Sequence, residues 1–443
     1  MKTQDDGISG TSKTDFRWEP IIYLYCLYIG IIVAGDLAGL HGASSIGAAL
    51  FLACLFALYW RYLLNLKASL ILFSILLCIA FSMIPLASID EKIMQRAYQE
   101  LIKYYALNCV ILMGLALPLT PLARAKRVEL LYFTIVVFLL AGWLMMPHHV
   151  SAPDMLKPVM GVKGFLANGN NFALTAMMLL FLVDEERSGL IVVGLHLALV
   201  LFLIYLSHTS GAILGFLIGM LYRFIQGKSK IPVMARWTVV AACIGTAIII
   251  FISMPPNTLE AVDATNTKVK LAVTNIDRVL SDKRINFYEM IQKNGRDVTS
   301  GVWRIYHWNR ILHKFQNSSL DEVLFGHGIG TIEGVFGIEA HNDYLRFLFQ
   351  TGVIGLLLTL LIWVTLYRRM ESQYRWIVVM IACYCVSENN YDNFFAMSLL
   401  AFCMIGASRK NWDSLPHEAL KLHDEKTIIG ESVLRVQNCT PGV

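Results

Sequence analysis

Most of the chain consists of long apolar runs separated by short polar connections. A membrane-crossing helix needs roughly 20 mostly apolar residues, and about twelve such runs can be drawn, at 20–38, 44–60, 68–88, 104–120, 129–147, 169–183, 189–206, 211–226, 237–253, 345–366, 375–387 and 393–407. The sixth and eleventh are short, which predicts tilted, broken or re-entrant helices. One connection differs from the rest: Met254 to Asp343 is long and hydrophilic. Pro255 and Pro256 stop the run before it, because proline cannot continue a helix. The stretch after them forms helix, with Val269, Val273, Ile276 and Leu280 on one stripe. A further helix is expected over 302–315, after the cap-like Thr299 and Ser300, with Trp303, Tyr306, Trp308 and Ile311 suited to a membrane interface. LFGHGIGTIEGVFG (324–337) is too glycine-rich for a stable helix, each glycine costing about 1 kcal/mol relative to alanine. It is expected to be a loop that lets backbone approach something.

Composition supports the same reading. Of 443 residues, 56% are hydrophobic and 16% charged, and the mean hydropathy is +0.57, beyond the usual apolar share of a soluble domain. The pattern predicts an all-α polytopic membrane protein of about 12 transmembrane helices with one long helical loop before the tenth. The expected divisions are helices one to nine in 1–253, the long loop in 254–343, helices ten to twelve in 344–408 and a tail in 409–443. The first run follows Asp15, Arg17 and Glu19 and reads as an anchor. No internal repeat stands out.

Charge then orients the chain. With the N-terminus in the cytoplasm, the inside connections carry Arg61 and Lys67, then Arg124, Lys126 and Arg127, then Arg187, then Lys228, Lys230 and Arg236, then Arg368, Arg369 and Arg375, with Arg409 and Lys410 opening the tail. The outer connection around Lys92 and Arg96 is an exception, balanced by Asp90 and Glu91. Both termini are therefore expected inside and the long loop outside. The net charge of +5 is explained by the inside loops, so no nucleic-acid partner is inferred. The nine cysteines lie almost all within spans and none in the long loop, which suits buried apolar side chains. Neither a metal-ligand spacing nor a disulfide framework is present.

The polar residues that matter cluster at outer helix mouths. His341 stands where the long loop meets the tenth run, and imidazole is a natural base near neutral pH. Asn342 and Asp343 read as an N-cap pair that orients it. Arg346, one turn further, should face the protein interior or snorkel. Arg304 and Arg310 are the loop arginines suited to a diphosphate, since guanidinium binds phosphate oxygens in a two-pronged fashion. Arg278, Arg284 and Arg296 are weaker candidates. Asn168, Asn170 and Asn171 either cap a broken helix or bind sugar hydroxyls. Lys163, Lys157, His148 and His149 lie in the same outer connection and either line a cavity or are merely solvated. Glu388 and Asp392, beside Asn389, Asn390 and Tyr391, stand at the last outer turn, where a place near the same vestibule is one reading and not the favoured one.

The order SGVWRIYHWNRIL, FGHGIG, AHNDYLRFLFQTGVIGLLL resembles the C-terminal signature of the O-antigen ligase and polymerase superfamily. There an arginine-bearing amphipathic helix, a G-x-G loop and an H-N-x-[YF]-L helix start follow in that order. GFLANGNNFALTAMMLLFL (164–182) is similar to a second family pattern, with Gly169 where that pattern has proline. In one departure, HTSGAILGF has Ser210 where the family often has an arginine. The resemblance implies an enzyme in the bacterial inner membrane, acting at its periplasmic face and closest to O-antigen ligase. Such an enzyme moves glycan from undecaprenyl diphosphate to a lipid A core hydroxyl, with inversion. His341 would be the base and Arg304 would act on the departing diphosphate, with Arg310, Arg346, Asn342, Asn168, Asn170 and Lys163 binding substrate. No cofactor or metal is expected, nor a partner beyond the two substrates and membrane lipids, and the chain is expected to be monomeric. O-antigen polymerase and protein O-oligosaccharyltransferase remain alternatives. A transporter is the reading from another class, against which stand the missing repeat and the polar residues gathered at outer mouths.

Overall fold

The computed structural model describes residues 18–40, 42–63, helical positions 97, 100–104, 107 and 110, then 122–145, 149–150, 159–207 apart from 161 and 167, 209–226, scattered positions between 270 and 292, and 296–407 apart from 392. The expected third and ninth spans, Lys92, Arg96, His148, Lys157, Arg278, Arg284, Asp392 and the tail from 409 lie outside the described residues, as does the side chain of Arg296.

The described chain is helical apart from one short antiparallel pair, β1 (His149–Val150) with β2 (Val159–Met160). The helices are α1 (Glu19–Leu37), α2 (Ala43–Leu63), α3 (Val128–Met145), α4 (Gly169–Met178, prolonged by a 3-10 turn Leu179–Phe181), α5 (Leu190–Leu206), α6 (Ser210–Gln226), α7 (Arg296–Gln316), α8 (Leu320–Phe325), α9 (Thr331–Phe336), α10 (Asp343–Arg369), α11 (Arg375–Tyr384) and α12 (Phe394–Gly406). Among the described residues three stretches are long and apolar enough to cross a membrane: Glu19–Leu37, Val128–Met145 and Asp343–Thr365.

The other apolar helices are shorter, and their burial explains how that is tolerated. Every residue of α12 is buried, as is α4 from Asn171 onward. These two short helices form the centre of the bundle, so protein rather than lipid surrounds their ends. Aromatic contacts join α1, α2 and α12: Tyr25 lies 4.6 Å from Phe51 and 5.7 Å from Phe402, and Tyr28 lies 5.2 Å from Phe395. Helix α6 carries Gly211, Gly215 and Gly219 at four-residue spacing against α11. A Cβ on Gly215 would lie 2.7 Å from the Met380 carbonyl oxygen, and one on Gly219 2.7 Å from the Met380 Cβ. Small residues let two helix backbones approach where no hydrophobic drive exists between helices in lipid.

The bundle has two polar ends. At the end where α4 and α10 finish, Arg124 Nε donates to Asp184 at 2.6 Å and its Nη2 to Glu371 at 3.2 Å, tying three connections together. At the other end, where α4 and α10 begin, lies the candidate site.

The loop helices depart from expectation in two places. Helix α7 begins at Arg296, so Thr299 and Ser300 lie inside it rather than ahead of its first residue. The glycine-rich stretch contains the six-residue helix α9, made possible because Gly330 and Gly337 sit at its two ends in left-handed conformation, φ +79° and +77°.

Candidate active site

Helix α10 is not continuous. Gly352 has φ +68° and ψ −173°, a region essentially closed to other residues, and the break frees the carbonyls of the preceding turn. The FGHGIG loop answers them: His327 N donates to Phe349 O at 2.9 Å and Gly328 N to Gln350 O at 3.0 Å. The two backbones touch so closely that a Cβ on Gly326 would lie 2.3 Å from Gln350 O, and one on Gly352 2.3 Å from Leu324 O. What the glycine-rich loop approaches is therefore the break in α10. Unpaired backbone groups at membrane depth are costly, and this clasp fixes the first turns of α10, which follow His341.

The start of α10 is held from a second direction. Glu388, Asn389 and Asn390, between α11 and α12, pair in order with His341, Asn342 and Asp343. His341 Nδ1 lies 3.4 Å from Glu388 Oε2, Asn342 N donates to Asn389 Oδ1 at 3.0 Å, and Asn390 N donates to Asp343 Oδ2 at 2.9 Å. Asn342 is the cap expected, its Oδ1 accepting from Leu345 N at 3.0 Å. His341 itself has φ +49°, an uncommon state for a non-glycine residue, although histidine is among those enriched there. Two flanking sets of bonds hold it in that conformation.

Glu388 is the hub. Its side chain is 2% exposed, and Oε1 accepts from Arg304 Nη2 at 2.7 Å. Oε2 faces His341 and also accepts from Asn170 Nδ2. The N-G-N stretch thus divides its work: Asn168 caps α4, accepting from Asn171 N at 2.9 Å, while Asn170 reaches the carboxylate. A buried carboxylate needs this many donors to stay charged.

Arg304 belongs to α7, which turns Val302, His307 and Ile311 inward. Trp303 stacks on His307 at 4.9 Å and meets the His341 ring edge-on at 5.7 Å. Trp308 Nε1 donates to Ala340 O at 2.8 Å, so the helix is pinned beside His341. Burial, assisted by Arg310 and His341, pushes the His307 imidazole down to about 4. His327 is likewise lowered, burial being the main cause.

The remaining predicted residues separate. Arg346 faces the interior as expected, donating to Glu100 at 2.9 Å with Glu339 at 4.0 Å. Arg310 is exposed, its guanidinium 5.6 Å from the centre of the Phe336 ring. His341, Lys163, Asn168, Asn170 and Glu388 line a cavity of about 1140 Å³, whereas Arg304, Arg310 and Arg346 are not among its described lining residues. The cavity has a second character: Tyr28, Ile32, Leu52, Phe165 and Phe394 give it an apolar wall. It suits an amphiphile with a polar head beside His341. Lys103 also lines it and carries no motif by which the sequence reveals it. Glu388 had one signal, an acid at a span's mouth, but nothing in the sequence ties it to His341. Among the described residues no group of three His, Cys, Asp or Glu side chains could hold a metal ion.

Residues 195–360 match the family model described as O-Antigen ligase. Over that stretch the chain is similar to the O-antigen ligase family. The matched stretch runs from α5 into α10 and takes in Arg304, the glycine clasp and His341, but not Asn170 or Glu388. The match goes with three described helices long and apolar enough to cross a membrane. Among curated proteins, no sequence matches the chain significantly.

Proposed function

We propose that this chain is an O-antigen ligase, moving glycan from undecaprenyl diphosphate to a hydroxyl of lipid A core at the periplasmic face of the inner membrane. The observation that carries the reading is the His341–Glu388 pair in the wall of an amphiphilic cavity. Glu388 Oε2 accepts from the Nδ1–H of His341, which fixes the tautomer and leaves Nε2 free as a base. The 3.4 Å separation is of the kind that tightens when reactants bind.

In the reaction, Nε2 takes the proton of the acceptor hydroxyl as its oxygen forms a bond to the anomeric carbon. The bond from that carbon to the diphosphate oxygen breaks on the opposite face, and the electron pair leaves with the diphosphate, so configuration inverts. Glu388 stabilises the resulting imidazolium. Arg304 donates to Glu388 and retains further N–H groups for a phosphate oxygen. Asn168, in the cavity wall, keeps its Nδ2 for a sugar hydroxyl, whereas Asn342, expected to bind substrate, is taken up in capping α10; Arg310 lies at the outer rim and Arg346 holds the start of α10. Diphosphate is a competent leaving group once its charge is neutralised by protein cations, and no metal enters this account.

The orientation proposed has the His341 end outside and both termini in the cytoplasm, supported by the basic inside connections. The test is reconstituted protein given a lipid-linked glycan with either lipid A core or further lipid-linked glycan as the sole acceptor. Transfer to lipid A core supports the ligase. Chain extension on the lipid-linked glycan alone would make the enzyme a polymerase.

A further inference from the structure

The cavity beside His341 has four carboxylates and two lysines on its described lining, and their pairing is uneven. Glu388 is answered by Arg304 at 2.7 Å and Glu339 by Arg346 at 4.0 Å, both arginines approaching from outside the lining. Two of the protein's arginines are thus committed to carboxylates. Arg310, the third candidate, lies over Phe336. Lys163 and Lys103 are different: both line the cavity, and among the described residues neither makes an ion pair or a hydrogen bond. They are the two lining cations that no described carboxylate holds. Asp36 and Glu333 complete the acidic lining and suit sugar hydroxyls, which donate to carboxylates.

Both lysines stand on fixed backbone. Lys163 sits in a turn closed by Leu166 N donating to Lys163 O at 3.1 Å, and Val162 N donates to Leu206 O at 3.1 Å. The adjoining Gly164 (φ +57°) packs on Gly142 so tightly that a Cβ on Gly142 would lie 2.8 Å from the Gly164 Cα. Lys103 follows Glu100 by one helical turn and precedes Tyr104. Glu100 is bonded to Arg346 at 2.9 Å, Tyr104 Oη lies 3.3 Å from Thr359 Oγ1, and the Tyr104 ring stacks on Tyr391 at 5.7 Å. Lys103 is therefore fastened to α10 on both sides.

We propose that Lys163 and Lys103 form the anion clamp of the cavity and hold the diphosphate of the lipid-linked donor, Arg304 adding only the N–H groups that its bond to Glu388 leaves over. This rests on the transfer reaction proposed above. An ammonium is a strong point-charge partner for phosphate, and two of them on one cavity balance a diphosphate without disturbing the Arg304–Glu388 pair. The same assignment explains how the site works with Ser210 where related sequences often have arginine.

Phosphate chemistry has two sources in this reaction, the diphosphate of the donor and the phosphates of lipid A, so the test uses both. Full-length protein in detergent micelles is titrated with undecaprenyl diphosphate, with undecaprenol and with lipid A, for the parent, Lys163→Gln, Lys103→Gln, the double Gln variant and the double Arg variant. The clamp predicts that the parent prefers undecaprenyl diphosphate to undecaprenol. Each Gln variant should lose about tenfold in affinity for the diphosphate, the cost of one charge-assisted contact, and the double Gln variant about a hundredfold. Undecaprenol and lipid A should bind all variants as they bind the parent, and the double Arg variant should recover most of the loss. Parent-like binding of the diphosphate by the double Gln variant overturns the clamp, as does a loss confined to lipid A. A parent that does not distinguish the diphosphate from undecaprenol contradicts the transfer reading itself, a result separate from the behaviour of the lysine variants.

Discussion

His341 and Glu388 lie 47 residues apart in sequence and meet through Nδ1 and Oε2 at 3.4 Å. Their neighbours continue the pairing, Asn342 with Asn389 and Asp343 with Asn390, so the imidazole and the carboxylate are aligned by backbone as well as by side chain. Glu388 is a positioning residue in this arrangement. Glu388→Gln keeps size and an oxygen acceptor but removes the charge that stabilises an imidazolium. It should lower kcat by about 10- to 100-fold with little change in KM, because the interaction strengthens mainly in the transition state. Glu388→Asp should recover part of the loss. An unchanged kcat in the Gln variant would remove Glu388 from the reaction.

The clasp between the glycine loop and α10 predicts a stability effect. Gly326 (φ +85°, ψ 178°) and Gly352 (φ +68°, ψ −173°) both occupy backbone regions nearly exclusive to glycine. A Cβ on either would lie 2.3 Å from a carbonyl oxygen. Gly352→Ala and Gly326→Ala should each cost more than the about 1–3 kcal/mol of backbone strain alone, seen as a lower apparent melting temperature and loss of transfer. Gly194→Ala, in α5 with nothing within 4 Å of its would-be Cβ, is the control and should be neutral or slightly stabilising.

Buried neutral imidazoles set a pH dependence. His307 is held at about 4, below the value near 6.5 of a free imidazole, and His327 is lowered as well. Between those two values the unfolded chain binds protons that the folded chain does not, so stability rises with pH across this window and is lost on acidification from about 6.5 toward 4. The melting temperature in detergent should fall through that range, and less steeply in His307→Phe. An identical slope in that variant would mean His307 is not buried neutral.

These relationships were unevenly legible in the sequence. His341, Asn342 and the inward-facing Arg346 were readable because polar residues at the mouth of an apolar run need a reason to be there. Trp303, Tyr306, Trp308 and Ile311 read as a membrane-interface face of α7, whereas Ile311 is buried with Ile332, Ala340 and Phe349 and Trp308 bonds Ala340 O. Glu388 was visible only as an acid at an outer turn, since partnership across 47 residues leaves no local trace. The break at Gly352 was hidden inside an otherwise continuous apolar run, where glycine is unremarkable, and the loop that closes it read as a glycine-rich segment without a destination. Thr299 and Ser300 misled because α7 starts about one turn further back, at Arg296. The tight packing of α6 on α11 was written in the GxxxGxxxG spacing of 211–219.

The proposed placement of the site on the outer face rests on the basic connections and can be checked directly. In a background without accessible thiols, Leu320→Cys, at a position 74% exposed on α8, should be labelled by a membrane-impermeant thiol reagent from outside. Ser372→Cys, among Arg368, Arg369 and Arg375, should be labelled only after the membrane is opened. The reverse pattern would put His341 in the cytoplasm, away from flipped lipid-linked glycan.

The most direct measurement is the rate of glycan transfer from undecaprenyl diphosphate to lipid A core by reconstituted His341→Ala, compared with the parent at equal folded amount. A general base contributes about 100- to 10,000-fold, so the variant should fall by that factor while its melting temperature stays near that of the parent. Transfer by folded His341→Ala at the parental rate would contradict the account.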